Sequence, residues 1–564
     1  MSDKEMNVEG IAGLKKYDVK TMGVVFMIFS LVAAGGFGAE EMISSTGPGL
    51  SLILLIILPF IWAMPISNTC SELGAILPEE GGVYVWAQKA FGEFWGFQVG
   101  WWNTVGFYVS NSIYVVLAAG YAKQFIPMTA TAELAFKIGV VIIFLIINLM
   151  GIAEVSKVNS ILTVTILLVF ALVAVVGIIN WNTNPMEPII PNDVSLFEGI
   201  TGGLSIAVWM YCGYECIGTV AGELKNPQVI PKALLIALPI VALTYILPLL
   251  GGLASLGEGN WANWAVDGGL DGTSFGYSDV LTTYLGPIWG YIFLVIAMLS
   301  QLAMYNMYIA SGSRGFFVMA DDNLFPKFMC KVSRKKGVPH VSIIILSIAI
   351  LILMNFDFET LVMCDVVFMM AMYITIVLAL VKLRKVYPIE ERRKQGLFVI
   401  PGGKVGLTLS VISPIIIAVA TLVLNGTDYL LVGIIAIGSG VIAYVIIKTL
   451  QGGLAVKDPI GHPLNPRTKL AVGDTFRVGL FSFLIGTLGF LGQFVLVWYE
   501  GDWGPAYYLE EGTGGLFSNF WGMIDVLKWG GAIVLIFGIF LMIISKKIEP
   551  QNEKKDAELD SISI

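Results

Sequence analysis

The sequence predicts an all-α polytopic membrane protein with about fourteen transmembrane helices, on three observations. First, apolar residues make up 56% of the 564 positions and charged residues only 13%, about half the usual soluble share. The mean hydropathy is +0.81. Second, runs of roughly 20 apolar residues, the length that crosses a bilayer, recur along the chain. They fall near 22–46, 49–72, 95–122, 134–152, 157–180, 199–222, 232–256, 285–313, 338–355, 359–383, 405–424, 428–448, 476–498 and 523–545. Third, Lys and Arg alternate between the connecting segments.

That third pattern fixes an orientation. With the N-terminus in the cytoplasm, the outward segments include 181–198, 257–284, 425–427 and 499–522, and none carries Lys or Arg. The inward segment 314–337 holds Arg314, Lys327, Lys331, Arg334, Lys335 and Lys336. Segment 382–395 holds Lys382, Arg384, Lys385, Arg392, Arg393 and Lys394, and Lys546 and Lys547 open the tail. The positive-inside rule then expects both termini in the cytoplasm of a cell-membrane protein. Lys123 and Lys137 are the exceptions, near an outer boundary. No short apolar core with a small-residue cleavage site follows the polar first twenty residues, so the first apolar run is expected to be a resident helix.

The organisation expected is a cytoplasmic segment 1–21, five helices over 22–180, five more over 181–383 and helices 11 and 12 over 384–450. A cytoplasmic connector over 451–475, two extra helices over 476–545 and a tail over 546–564 follow. From about Gln551 the tail is polar enough to expect disorder.

Two of the helices carry interruptions. The first reads Ala33-Ala34-Gly35-Gly36-Phe37-Gly38-Ala39-Glu40-Glu41. Each glycine weakens a helix by roughly 1 kcal/mol relative to alanine, and here two carboxylates follow. The sixth reads Trp209-Met210-Tyr211-Cys212-Gly213-Tyr214-Glu215. These helices occupy matching places if five helices repeat with inverted topology. Paired breaks of this kind point to a transporter's central site, because unwinding frees N–H groups for a carboxylate and carbonyls for a cation. Candidate substrate contacts are therefore Ala34, Gly35, Gly36, Phe37 and Gly38 in one break, and Cys212 and Gly213 in the other.

The flanking motifs resemble the amino acid–polyamine–organocation superfamily over about residues 15–450. Ser71-Glu72-Leu73-Gly74 with Pro78-Glu79-Glu80-Gly81-Gly82-Val83-Tyr84 is similar to its E-[LM]-G and P-x-x-G-G-x-Y blocks. Gly222-Glu223-Leu224-Lys225-Asn226-Pro227 with Ile230-Pro231-Lys232-Ala233 resembles its G-E-x-K-N-P…I-P-x-A stretch. Ser313-Arg314 through Ala320-Asp321-Asp322 to Leu324-Phe325-Pro326 resembles the close of its eighth helix. Gly35 to Glu41, and Phe94-Trp95-Gly96-Phe97-Gln98, look like the polyamine-uptake branch.

The resemblance implies a LeuT-like 5+5 inverted-repeat core with broken helices 1 and 6, and secondary transport by alternating access. It brings forward Trp209 as an aromatic gate, Asn111 as a polar substrate contact, Tyr308 as an aromatic packing on substrate, and Glu215 as the acid of the sixth-helix motif. The two extra C-terminal helices depart from the usual twelve.

Glu40, Glu41, Glu215 and Asp365 fall within or beside apolar runs with no Lys or Arg expected at depth. Carboxyls in that position stay neutral or meet an arriving cation. They are the candidates for coupling or for an amine counter-ion, and they favour a cationic substrate. Trp101, Tyr108, Tyr114, Tyr211 and Tyr214 add aromatic faces that can hold ammonium groups. The expected function is import of amino acids or polyamines with protons. Sodium is the alternative coupling ion, through Ser311 and Ser313. An exchanger and a non-transporting sensor are the competing readings.

Other functions lack their residues. There is no G-x-x-x-x-G-K-[ST] loop for ATP. His340 and His462 are the only histidines, poor material for a metal centre or a triad. The cysteines, Cys70, Cys212, Cys216, Cys330 and Cys364, show no zinc spacing or paired framework. No basic domain suits nucleic acid. No enzymatic activity and no cofactor are expected. The partners expected are the substrate and the lipid bilayer, and the oligomeric state is not readable.

Overall fold

The computed structural model describes residues 19–33, 36–78, 81–150, 153–192, 194–219, 224, 226–256, 259–264, 276–333, 338–451, 473–512 and 514–562. Every element among them is helical. The apolar helices in chain order are α1 (Thr21–Val32), α2 (Pro48–Ile76), α3 (Glu93–Phe125), α4 (Ala130–Met150), α5 (Ala153–Ile179), α6 (Leu196–Met210) and α7 (Ile230–Leu256). Then come α8 (Pro287–Asp321), α9 (His340–Leu353), α10 (Phe358–Val386), α11 (Gly403–Leu424), α12 (Thr427–Gln451), α13 (Asp474–Glu500) and α14 (Phe520–Lys546). One lies on each predicted run. Among the described residues, ten are long and apolar enough to cross a membrane, while α1, α6, α9 and the stretch Thr163–Ile179 of α5 are shorter. The tail departs from the expected disorder: helix Gly531–Ile562 runs on through the polar residues. Most of the connector, 452–472 with His462, lies outside the described residues.

Burial separates inner from outer helices. The apolar windows of α3 and α10 are 83% and 78% buried, against 11% for α4 and α14. Outward-facing Ile142, Ile143, Ile146, Ile533 and Ile536 are exposed. A broad apolar exterior of this kind needs lipid, and helices suit lipid because they bond all their backbone internally. The chain is a multi-pass membrane protein. Within the bundle, α3 packs on α8 and α10, α5 on α7 and α8, and α1 on α7.

Two buried ionic clusters tie distant helices together. Glu72, near the end of α2, is fully buried. It accepts from Arg384 Nε at 2.6 Å and Nη2 at 2.5 Å, Arg392 Nη1 at 2.6 Å and the Ile400 amide at 2.8 Å. Removing one partner of such a set leaves charge buried and uncompensated. Glu72→Ala is therefore expected to cost about 3–5 kcal/mol, read as a lower midpoint of thermal unfolding in detergent. An unchanged midpoint would show that water reaches the two arginines.

In the second cluster, Glu93 at the start of α3 pairs with Lys448 of α12, and both are fully buried. Tyr444 donates to Asp474 of α13 at 2.8 Å and also reaches Glu93 at 3.1 Å. This joins the extra pair to the body. α13 and α14 meet along Gly479, Gly486, Gly531 and Gly538, the small-residue seam that lets membrane helices pack closely. Lys123 and Lys137, the two charge exceptions, both pair with Glu133, at 3.3 and 2.7 Å.

Candidate substrate site

Both expected breaks are present. α1 stops at Val32, residues 36–38 form a turn, and helical turns resume at Ala39–Met42 and Ile43–Thr46. α6 stops at Met210, and a short helix restarts at Cys216–Thr219. Gly213 has φ +105°, a left-handed conformation natural to glycine. The two breaks touch there. A Cβ on Gly213 would sit 2.6 Å from the carbonyl oxygen of Leu31, so only a hydrogen fits.

A helix end leaves its last carbonyls without intrahelical partners. Tyrosines satisfy them here. Tyr308 of α8 donates to Leu31 O at 2.7 Å. Tyr245 of α7 donates to Met210 O at 2.7 Å and lies 3.3 Å from Val32 O, spanning both breaks. Tyr373 of α10 accepts from the Gly213 amide at 3.2 Å and donates to Glu215 at 2.5 Å.

Between the breaks lies a cavity with about 370 Å³ of space unfilled by protein atoms. Phe37, Tyr114, Trp209, Tyr245 and Tyr308 supply its aromatic walls, and Met210, Met304, Met369 and Cys212 supply sulfur. Tyr114 sits 4.9 Å edge-on from Tyr308 and 6.2 Å from Trp209, and Trp209 also meets Phe358 edge-on at 5.8 Å. Gln301 also lines it, and its buried Nε2 donates to nothing.

Among the described residues, no charged side chain lines this cavity directly. Glu215 stands behind it, fully enclosed, holding Tyr373 and the Cys216 thiol. Asp365 is buried on α10 beside the Trp209 indole. Its Oδ2 accepts from Ser110 at 2.5 Å, while Oδ1 accepts no hydrogen bond. Among the described residues, neither carboxyl has a Lys or Arg partner.

The other candidates are distributed as follows. Phe37, Trp209, Cys212 and Tyr308 line the cavity. Gly36 backs onto Thr244 and Phe170, and Gly38 onto Trp209 and Phe358. Asn111 is buried one turn from Tyr114, with Nδ2 on Phe107 O at 2.6 Å, and does not line the cavity. Glu40 turns away from it: its carboxylate accepts from Tyr121 at 2.9 Å and the Tyr277 amide at 3.0 Å, fastening the break to helix Tyr277–Leu285. Glu41 is partly exposed. Ala34 and Gly35 lie outside the described residues. Sequence reasoning missed Tyr245, Tyr373, Gln301 and Ser110. A polar residue one or two turns from a named candidate on the same helix was the available signal for Gln301 and Ser110.

Residues 19–460 match a family model described as amino acid permease. α13 and α14 lie beyond the match. Among curated proteins, one of Arabidopsis thaliana named a probable polyamine transporter is 27% identical over 467 residues, covering 79% of this chain and 87% of that one. The polyamine transporter PUT1 of Oryza sativa subsp. japonica is 30% identical over 358 residues, 62% of this chain and 63% of its own. The polyamine transporter RMV1 of Arabidopsis thaliana is 26% identical over 439 residues, covering 77% and 86%. With two touching helix breaks around an aromatic cavity and a family match over most of its length, the chain belongs to the amino acid permease family of the amino acid–polyamine–organocation superfamily, on the side of its polyamine transporters.

Proposed function

We propose that this chain imports a cationic amine, a polyamine or an amino acid, by proton-coupled symport and alternating access. The observation that carries the reading is the aromatic cavity at the meeting of the breaks, backed by Glu215 and Asp365 with no basic residue beside them among the described residues. Aromatic faces attract ammonium groups, and a buried carboxyl without a cation favours the arrival of one. Three relatives named as polyamine transporters support the substrate class. A proton moving on and off Glu215 is the coupling step we favour, with its hydrogen bond to Tyr373 linking that event to the Gly213 turn.

The packing supports two inverted five-helix repeats, 22–180 and 181–383. α2 lies on α7, α3 on α8 and α4 on α9, the counterpart pairs under a five-helix offset. α5 also packs on α8 as α10 packs on α3. The Lys and Arg pattern supports fourteen crossings of the cell membrane with both termini in the cytoplasm.

Competition between amino acids and polyamines in proteoliposomes at two pH values tests the reading. Uptake of an amine that rises with an inward proton gradient is expected. Uptake that ignores the gradient and needs amine inside would replace it with exchange. Binding without flux would replace it with sensing. Trp209→Ala should weaken amine affinity about tenfold, the loss of one desolvated cation–π face. An unchanged affinity ranking across the panel would remove Trp209 from the gate.

A further inference from the structure

A second, smaller space adjoins the central cavity. About 220 Å³ unfilled by protein atoms, open space included, lies between Trp102, Asn103, Gly106 and Phe107 of α3, Met369 and Met372 of α10, and Glu215. Met369 lines both spaces, so a single flexible thioether side chain is shared by the two. Gly106 opens the slot toward Asp365. A Cβ there would lie 3.2 Å from Asp365 Oδ1, the buried oxygen that accepts no hydrogen bond. Glu215 thus lines the slot while Asp365 stands behind Gly106, and among the described residues neither has a basic partner. Tyr373, which holds Glu215, follows Asp365 by eight residues on α10, roughly 12 Å along a helix axis.

We infer that this slot is a second cation subsite, seating the distal ammonium of a linear diamine or polyamine whose other end lies in the aromatic cavity. The inference rests on the proposed amine transport and adds length selectivity to it. Its walls argue for an organic cation. Two methionines, a phenylalanine and a tryptophan outnumber the oxygen-bearing Asn103 and Glu215 in its lining, whereas sodium or another hard ion takes a shell of oxygens. The apolar side chains suit methylenes well, and methionine adapts its shape to what passes it. Glu215 in the lining, with Asp365 behind Gly106, suits ammonium. A monoamine or a short amino acid reaches one space only and leaves the Asp365 oxygen unsatisfied.

The test uses the full chain in nanodiscs, with spermidine, 1,4-diaminobutane and 1-aminobutane as probes. The wild type is expected to bind the triamine and diamine at least tenfold tighter than the monoamine. Gly106→Ala sets a methyl between the slot and Asp365 Oδ1, and Asp365→Asn removes the charge behind it. Each should cut that affinity ratio at least tenfold. Should Asp365→Asn fail to fold, Gly106→Ala decides, since alanine favours the helix it enters. A ratio unmoved in monodisperse variants overturns the slot and leaves amine transport standing. So does a wild type that ranks the monoamine with the diamine, or variants that alter only sodium or proton dependence. A wild type that binds no amine overturns both readings.

Discussion

Glu215→Gln is expected to abolish coupled uptake, by 100-fold or more, with little change in thermal stability. A carboxyl at this depth is costly to keep and marks function. Glutamine keeps the size and can still accept from Tyr373. It can neither bind and release a proton nor balance an ammonium charge. Uptake into proteoliposomes under an imposed proton gradient, alongside the melting curve of the same sample, separates the two effects. Wild-type flux with wild-type pH dependence would end the coupling role of Glu215. A collapsed melting curve would make the residue structural.

Gly213→Ala should be nearly as damaging for a different reason. The backbone there has φ +105°, a region that costs an L-residue roughly 1–2 kcal/mol. The added methyl would also press on the Leu31 carbonyl at 2.6 Å. A backbone oxygen inside a packed bundle cannot swing aside as a long side chain can. The two breaks must separate, straining the Tyr308 bond to Leu31 O and the Tyr373 bond to the Gly213 amide. We expect uptake to fall at least tenfold, and the buried Cys212 thiol to become reactive toward a small maleimide. Gly139→Ala is the matched control, since nothing lies within 4 Å of a Cβ at that position. Native uptake and an inert Cys212 in Gly213→Ala would show that the contact between breaks carries no function.

Some of this was legible in the sequence and some was not. Apolar length located α1 to α14, because the bilayer sets one length and the backbone has one way to satisfy itself inside it; the short helices Val83–Phe91, Tyr277–Leu285, Ile389–Lys394 and Gly504–Glu511 fall on no apolar run. Three glycines in four positions pointed to the first break and a single glycine beside an acid to the second, while acid at depth pointed to Glu40, Glu41, Glu215 and Asp365 alike. Direction was harder to read. Glu40 and Glu215 both follow a broken helix, yet Glu40 anchors a loop helix while Glu215 stands behind the cavity. Half a turn of rotation decides between these, and a broken helix has no period from which to read it. The tyrosines that satisfy Leu31, Met210 and Gly213 come from α7, α8 and α10, and their pairing is set by packing between segments far apart in sequence. Gly106 gave no signal, since one small residue in a long apolar helix is ordinary until its neighbour proves to be a carboxyl oxygen.

The Glu93–Lys448 pair also sets a clock. The two residues are 355 positions apart, and synthesis proceeds at roughly 5–20 residues per second, so about 20–70 s separate the making of the acid from the making of its base. For that interval α3 is in the membrane while its lysine does not yet exist. The end of the bundle that carries Glu93 therefore closes late in biogenesis, when α12 arrives. Asp474 follows within seconds and seals it by taking the hydroxyl of Tyr444.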